Sequence, residues 1–141
     1  MTNAMAVSDR STLPRCASIA VVDDDAFVRR ALERLLRAAG YRVSTHASGA
    51  EFLRAVETSV PACVLLDVHM PGLTGFDVLQ TLRDMPNGSA VLLLTADHDP
   101  RKRQRALALG ATACLLKPFD DALLLDTIAA ALGRLTNRGL R

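Results

Sequence analysis

Several features are missing from this chain of 141 residues, and each absence removes a class of protein. No window approaches the roughly 18 consecutive apolar residues of a membrane-spanning helix. The opening stretch, MTNAMAVSDRSTLPR, lacks the sustained apolar core of a secretion signal. An excess of one charge is absent too: 17 Lys and Arg stand against 15 Asp and Glu, leaving a net charge of +2 that favours no class of partner. The cysteines Cys16, Cys63 and Cys114 are odd in number, lack paired metal spacing, and two of them sit inside apolar runs. That excludes a disulfide framework or a zinc knot and leaves reduced thiols. The expectation is a soluble, cytoplasmic protein of one domain, half hydrophobic and long enough to bury a real core.

What is present is an alternation. The runs SIAVV (18–22), ACVLLD (62–67), AVLLLT (90–95) and ACLLK (113–117) are too short for helices, are bounded by turn residues, and read as strands buried on both faces. YRVSTH (41–46) alternates like an edge strand. Between these runs the spacing is helical. Phe27, Val28, Ala31, Leu32, Leu35 and Leu36 form one stripe, with Gly40 suited to a left-handed C-terminal cap. Further helices are predicted over about 48–58, 74–85, 100–109 and 120–135, with Ser48 and Asp120 as caps and Gly110 and Gly133 as stops. Five strand–helix units imply an α/β fold, a doubly wound parallel sheet covered on both faces. Periodicity leaves the strand order open. In any doubly wound order, chemistry collects beyond the carboxyl ends of the strands.

Four such ends carry unusual side chains. Asp23 and Asp24 follow the first strand, Asp67 ends the third, Thr95 the fourth and Lys117 the fifth. Crowded carboxylates repel unless a cation or proton compensates them. Oxygen ligands without added His or Cys side chains suit Mg²⁺, and a lysine opposite them receives further negative charge, which points to a phosphoryl group. Each residue alone has a duller reading: an Asp pair can cap a helix, Thr95 can be a turn residue and Lys117 a solvated strand end. Asp67 resists this, because a carboxylate after ACVLL is costly beside a core unless compensated.

Taken in order, VVDDD, LLDVHMPGLTGFDVL, LLLTAD and LLKPF resemble the receiver domain of two-component response regulators, over about residues 17–135. The resemblance implies the (βα)5 flavodoxin-like receiver fold with strand order 2-1-3-4-5. It also implies a flexible extension over 1–16 and a tail or linker start over 136–141. It makes Asp67 the acceptor of a phosphoryl group from a sensor histidine kinase or phosphotransfer protein, as an acyl phosphate. Asp24 ligates Mg²⁺ directly and Asp23 assists through water, while Asp67 and the carbonyl of His69 complete the metal set. Thr95 bonds a phosphoryl oxygen and Lys117 pairs with the phosphoryl. Asp25 has no such role and suits the positive first turn of a helix. The Lys117–Pro118 bond is often cis in the family.

Two positions depart from the family pattern. Cys114 stands where many receivers carry an aromatic that rotates on activation, and His69 sits where a side chain governs the access of water to the acyl phosphate. The remaining histidines, His46 and His98, lack ligand spacing and read with His69 as surface residues. The basic run PRKRQRALALG reads first as a solvated face. Without aromatics and with a low net charge it is not read as a nucleic-acid contact, and the chain is expected to bind neither nucleic acid nor membrane. The resemblance offers instead a homodimer through helix four, strand five and helix five, with Arg101, Lys102, Arg103 or Arg105 facing Asp120, Asp121 or Asp126.

The expected function is therefore a phosphorylatable regulatory switch that catalyses only its own phosphorylation and dephosphorylation. The DVHMPGLTGFDVL wording looks like that of receivers attached to transcription factors. One alternative is a haloacid-dehalogenase-type phosphatase or phosphotransferase, but such enzymes want a second Asp where this chain has His69. Another is a pseudo-receiver that only binds a partner, against which the intact Asp67, Thr95 and Lys117 set argues.

Overall fold

The computed structural model describes residues 17–85 and 88–140, the last seven by their backbone alone; the expected extension over 1–16 lies outside them. Five strands alternate with five helices in chain order. They are β1 (Ser18–Val22), α1 (Ala26–Ala38), β2 (Arg42–His46), α2 (Gly49–Val56), β3 (Cys63–Asp67), α3 (Gly75–Arg83), β4 (Ala90–Thr95), α4 (Pro100–Ala108), β5 (Ala113–Leu116) and α5 (Asp121–Leu140). The strands form one parallel sheet of order β2-β1-β3-β4-β5. The winding reverses between β1 and β3, where a doubly wound sheet opens its crevice.

Both faces of the sheet are dry, as the unbroken apolar runs predict. Ile19, Val21, Cys63, Leu65, Leu92 and Leu94 face Leu32 and Leu36 of α1 and Leu124 and Ile128 of α5. Ala20, Val22, Val64, Leu66, Val91 and Leu93 face α2, α3 and α4 through Phe52, Val56, Val78, Leu79, Leu82 and Ala106. Burial pushes the Cys63 thiol up to about 12, so it is an inert core group. The central strands β1, β3 and β4 are buried almost throughout, whereas β2 alternates as an edge strand does. The last strand departs from its expected burial on both faces: only Leu115 is buried, because β5 is the other edge of the sheet.

Local chemistry sets the helix ends. Asp25 caps α1 by accepting from the amides of Phe27 and Val28, Ser48 caps α2 and Thr74 and Asp77 form a capping box on α3. Asp120 Oδ1 accepts from the Leu123 amide at 2.6 Å. Gly40 and Gly110 hold left-handed φ values of 99° and 101° past the ends of α1 and α4. Gly133 does not stop α5. It lacks the positive φ that a terminating glycine adopts, and the helix continues to Leu140 rather than ending at 135.

The predicted stripe of α1 also needs correction. Leu32 and Leu36 are buried with Val28 and Leu35 packed beside them, but Phe27 is 80% exposed and Ala31 is exposed. Val28, Leu32, Leu35 and Leu36 already fill one face at spacings of four, seven and eight; Phe27 lies about 125° from the centre of that face and Ala31, at about 85°, lies beyond its edge.

Candidate functional site

Register brings the site together. Val22 pairs with Leu66, so Asp23 and Asp67, each one residue further on, leave the sheet side by side. Asp67 pairs with Leu94, and Thr95 pairs with Leu116, which carries Thr95 and Lys117 onto the same edge, each one step beyond its neighbour. Oxygens of Asp23, Asp24 and Asp67 lie within 4.8 Å of one another. Lys117 Nζ spans two of these carboxylates, 3.2 Å from Asp67 Oδ1 and 3.4 Å from Asp23 Oδ2. Its peptide bond to Pro118 is cis.

Asp23 is 2% exposed and held at all four of its polar atoms. Its amide donates to His46 O at 3.1 Å, its carbonyl accepts from Arg29 Nη1 at 2.7 Å, Oδ1 accepts from the Asp25 amide at 2.9 Å, and Oδ2 meets Lys117. Asp24 contrasts with it: exposed, and with no hydrogen bond or ion pair among the described residues. The middle aspartate of the run thus has its oxygens open, the first is committed, and the third, Asp25, expected to suit the positive first turn, is the N-cap just ahead of it.

Electrostatics follows from this crowding. Burial holds the Asp67 carboxyl above its ordinary value of 3.8, the neighbouring Asp23 charge adds to this, and Lys117 only partly opposes it. For Lys117, burial pulls the ammonium down, but Asp23 and Asp67 together outweigh it and the net shift is upward. A cluster still unfavourable to one carboxylate after a full ammonium has joined it has room for more positive charge. Oxygen donors alone, three of them anionic, fit a hard dication.

Thr95 is 4% exposed, and its Oγ1 accepts from the Asp97 amide at 3.0 Å, leaving the hydroxyl hydrogen to donate. The loop beyond it is a chain of short bonds: the Asp99 amide donates to Asp97 Oδ1, Lys102 pairs with Asp97, and Arg101 pairs with Asp99. The hydrogen bond from Lys102 holds Asp97 below the ordinary carboxylate value, and that from Arg101 does the same for Asp99. Arg105 lies over the Phe76 ring, 4.4 Å from its centre. Three of the four basic residues expected to face helix five across a two-fold interface therefore have partners in their own chain.

Cys114, at the position where the resemblance sets an aromatic in many receivers, lines a cavity of about 130 Å³ with Thr95, His98, Arg103 and Leu116. His69 and His98 are exposed as predicted, but His46 is half-buried with its ring edge-on to Phe52 at 5.3 Å, and burial lowers its pKa. Two residues that shape the site escaped the sequence reading. Gly75 opens α3 so close to the end of β3 that a Cβ there would lie 2.6 Å from Asp67 O and 2.8 Å from Val68 Cα. Arg29 is the other. Its signal was a basic residue one turn into the helix that follows the acids.

The response regulator receiver domain family matches residues 19–129. The transcriptional regulatory protein FixJ of Azorhizobium caulinodans is 37% identical over 127 residues, 90% of this chain and 60% of the relative. The transcriptional regulatory protein PrrA of Mycobacterium bovis is 41% identical over 123 residues, 87% of this chain and 52% of the relative. The chain thus spans between half and three fifths of the length of these two relatives. Among solved structures, the chemotaxis protein CheY4 of Vibrio cholerae is 34% identical with a TM-score of 0.78, covering 82% of this chain and 98% of that one. A response regulator receiver protein of Burkholderia phymatum is 44% identical with a TM-score of 0.74, covering 83% of this chain and 95% of that one. With its strand order and its acidic cluster in place at the carboxyl edge of the sheet, the chain belongs to the response regulator receiver domain family.

Proposed function

We propose that residues 17–135 form a phosphorylatable switch in which Asp67 accepts a phosphoryl group from a sensor histidine kinase or phosphotransfer protein. The observation that carries this reading is the Lys117 ammonium between Asp67 and Asp23, at register-aligned strand ends beside an open Asp24. Asp24, Asp67 and the His69 carbonyl would hold Mg²⁺, with Asp23 acting through water because the protein already engages both of its carboxylate oxygens. Bound there, Mg²⁺ supplies neutralising charge to the oxygens of the transferring group. An Asp67 oxygen attacks phosphorus as the bond to the donor imidazole nitrogen breaks, and that nitrogen keeps the electron pair. Lys117 exchanges a carboxylate partner for a phosphoryl oxygen, and the Thr95 hydroxyl donates to another. The chain then acts by changing partners, without turning over an external substrate.

The output surface in this reading is α4, β5 and α5, where Leu107, Leu116 and Leu123 are 45%, 42% and 48% exposed. A second copy is the partner proposed there, in a cytoplasmic setting and with no part for nucleic acid or membrane. Among the described residues no helix is long and apolar enough to cross a membrane. The test of the chemistry is mass spectrometry after incubation with acetyl phosphate and Mg²⁺. One phosphoryl group is expected, labile to hydroxylamine and base and absent from Asp67→Asn. Equal labelling of that variant refutes the acceptor assignment.

A further inference from the structure

We infer that Arg29 is a positioning residue for the cation site, acting through the backbone of Asp23 to aim the carboxylate of Asp24. This rests on the reading of Asp24 as a direct ligand. Asp24 is exposed and no side chain or amide among the described residues orients its carboxylate. Its direction is therefore set by its backbone. The carbonyl of Asp23 and the amide of Asp24 share one planar peptide unit, so fixing Asp23 O fixes the plane from which the Asp24 side chain departs. Arg29 Nη1 donates to that oxygen at 2.7 Å, the short distance of a charge-assisted bond. The other anchors of Asp23 hold its amide and its side chain: His46 O, the Asp25 amide and Lys117. Among the described residues, only Arg29 holds the peptide leading into Asp24. It can do so because α1 begins at Ala26 and returns its fourth residue over the β1–α1 junction, half-buried and anchored by the Arg29 amide bond to Asp25 O at 3.0 Å.

Two effects of Arg29 on a bound dication have opposite sign, which makes the inference decidable. As a cation near the site it repels Mg²⁺, so removing its charge alone would tighten binding. As a positioning group it presents Asp24, so removing its donors would weaken binding. Residues that orient metal ligands are typically worth about 10- to 100-fold in affinity, and positioning is expected to win.

The experiment is calorimetric titration of Mg²⁺ into wild type, Arg29→Met, Arg29→Lys and Asp24→Ala, at a temperature well below the melting point of every variant. Amide spectra of the metal-free proteins are recorded alongside. Arg29→Met keeps the apolar stem and is expected to bind Mg²⁺ at least tenfold more weakly, with shift changes centred on the amides of Asp23 to Asp25. Arg29→Lys restores one charged donor and is expected to recover most of the loss. Binding by Arg29→Met as tight as wild type or tighter overturns the inference, as does an Arg29→Lys variant no better than Arg29→Met. Asp24→Ala separates the two levels. Unchanged binding there refutes the ligand assignment itself and the inference with it, whereas lost binding there with intact binding in Arg29→Met refutes the role of Arg29 alone.

Discussion

At the scale of single residues, Asp67 carries a charge that the folded protein tolerates rather than favours. Its pKa is raised above 3.8 by burial first and by Asp23 second, so the folded state keeps the Asp67 proton to a higher pH than the unfolded chain does. The sign follows: this group contributes stability while protonated and loses it as pH rises from 3.8 through the elevated folded value. Asp67→Asn removes the charge and is expected to melt a few degrees higher than wild type at pH 7 without metal. The gap should shrink as the pH approaches 4. Melting curves across that range check it, and a variant less stable than wild type at pH 7 would mean that Lys117 more than compensates the carboxylate. That Asp25 belongs to the start of α1 was legible at this scale, because an acid ahead of a helical stripe suits its positive end. The carbonyl bond from Arg29 was not, since nothing local says which way a helix-borne guanidinium turns.

At the scale of elements, the helices differ in how firmly they are seated. α3 buries Phe76, Val78, Leu79 and Leu82, while α4 buries only Ala106 and is held by Lys102 on Asp97 and Arg105 on Phe76. Strands and helices were readable from period and caps. The first residue of α3 was not. Replacing Gly75 by Ala in a helix ordinarily gains about 1 kcal/mol, but here the added Cβ would meet backbone atoms at 2.6 and 2.8 Å, which cannot rotate away. Overpacking costs about 1 to 3 kcal/mol and displaces the end of β3. Gly75→Ala is therefore expected to forfeit the usual gain, to lower stability to urea by up to about 2 kcal/mol net, and to slow labelling by acetyl phosphate. Equilibrium denaturation with a timed labelling assay measures both, and a stabilised variant with unchanged labelling would disprove the close approach. A sequence window contains the glycine and the strand end but not the distance between them.

At the scale of the whole molecule, the order β2-β1-β3-β4-β5 could not be obtained from hydrophobic period and came with the family resemblance, whereas the convergence of Asp23, Asp67, Thr95 and Lys117 on one edge followed from any doubly wound parallel sheet. Exposure of Leu107, Leu116 and Leu123 needed the assembled sheet, since β5 proved to be an edge. Because Arg101, Lys102 and Arg105 already have partners in their own chain, the proposed association is expected to rest on these leucines and to respond weakly to salt. Sedimentation with beryllofluoride and Mg²⁺ should show self-association that persists at high ionic strength and is lost in Leu116→Arg. A wild type that stays monomeric under all these conditions would favour a different protein as the partner of this face.

The reach of the Lys117 ammonium also has a meaning in time. It lies 94 residues after Asp23 and 50 after Asp67 in the chain, and β5, which presents it, pairs only with β4. During synthesis from the N-terminus, β1 and β3 can therefore pair, and their acids can meet, before the compensating charge has left the ribosome. The edge of β4 that receives β5 then lies beside these acids at its carboxyl end, the end at which β5 presents Lys117. Electrostatic attraction between Lys117 and these acids thus acts in the same direction as hydrophobic burial in seating the last strand in register.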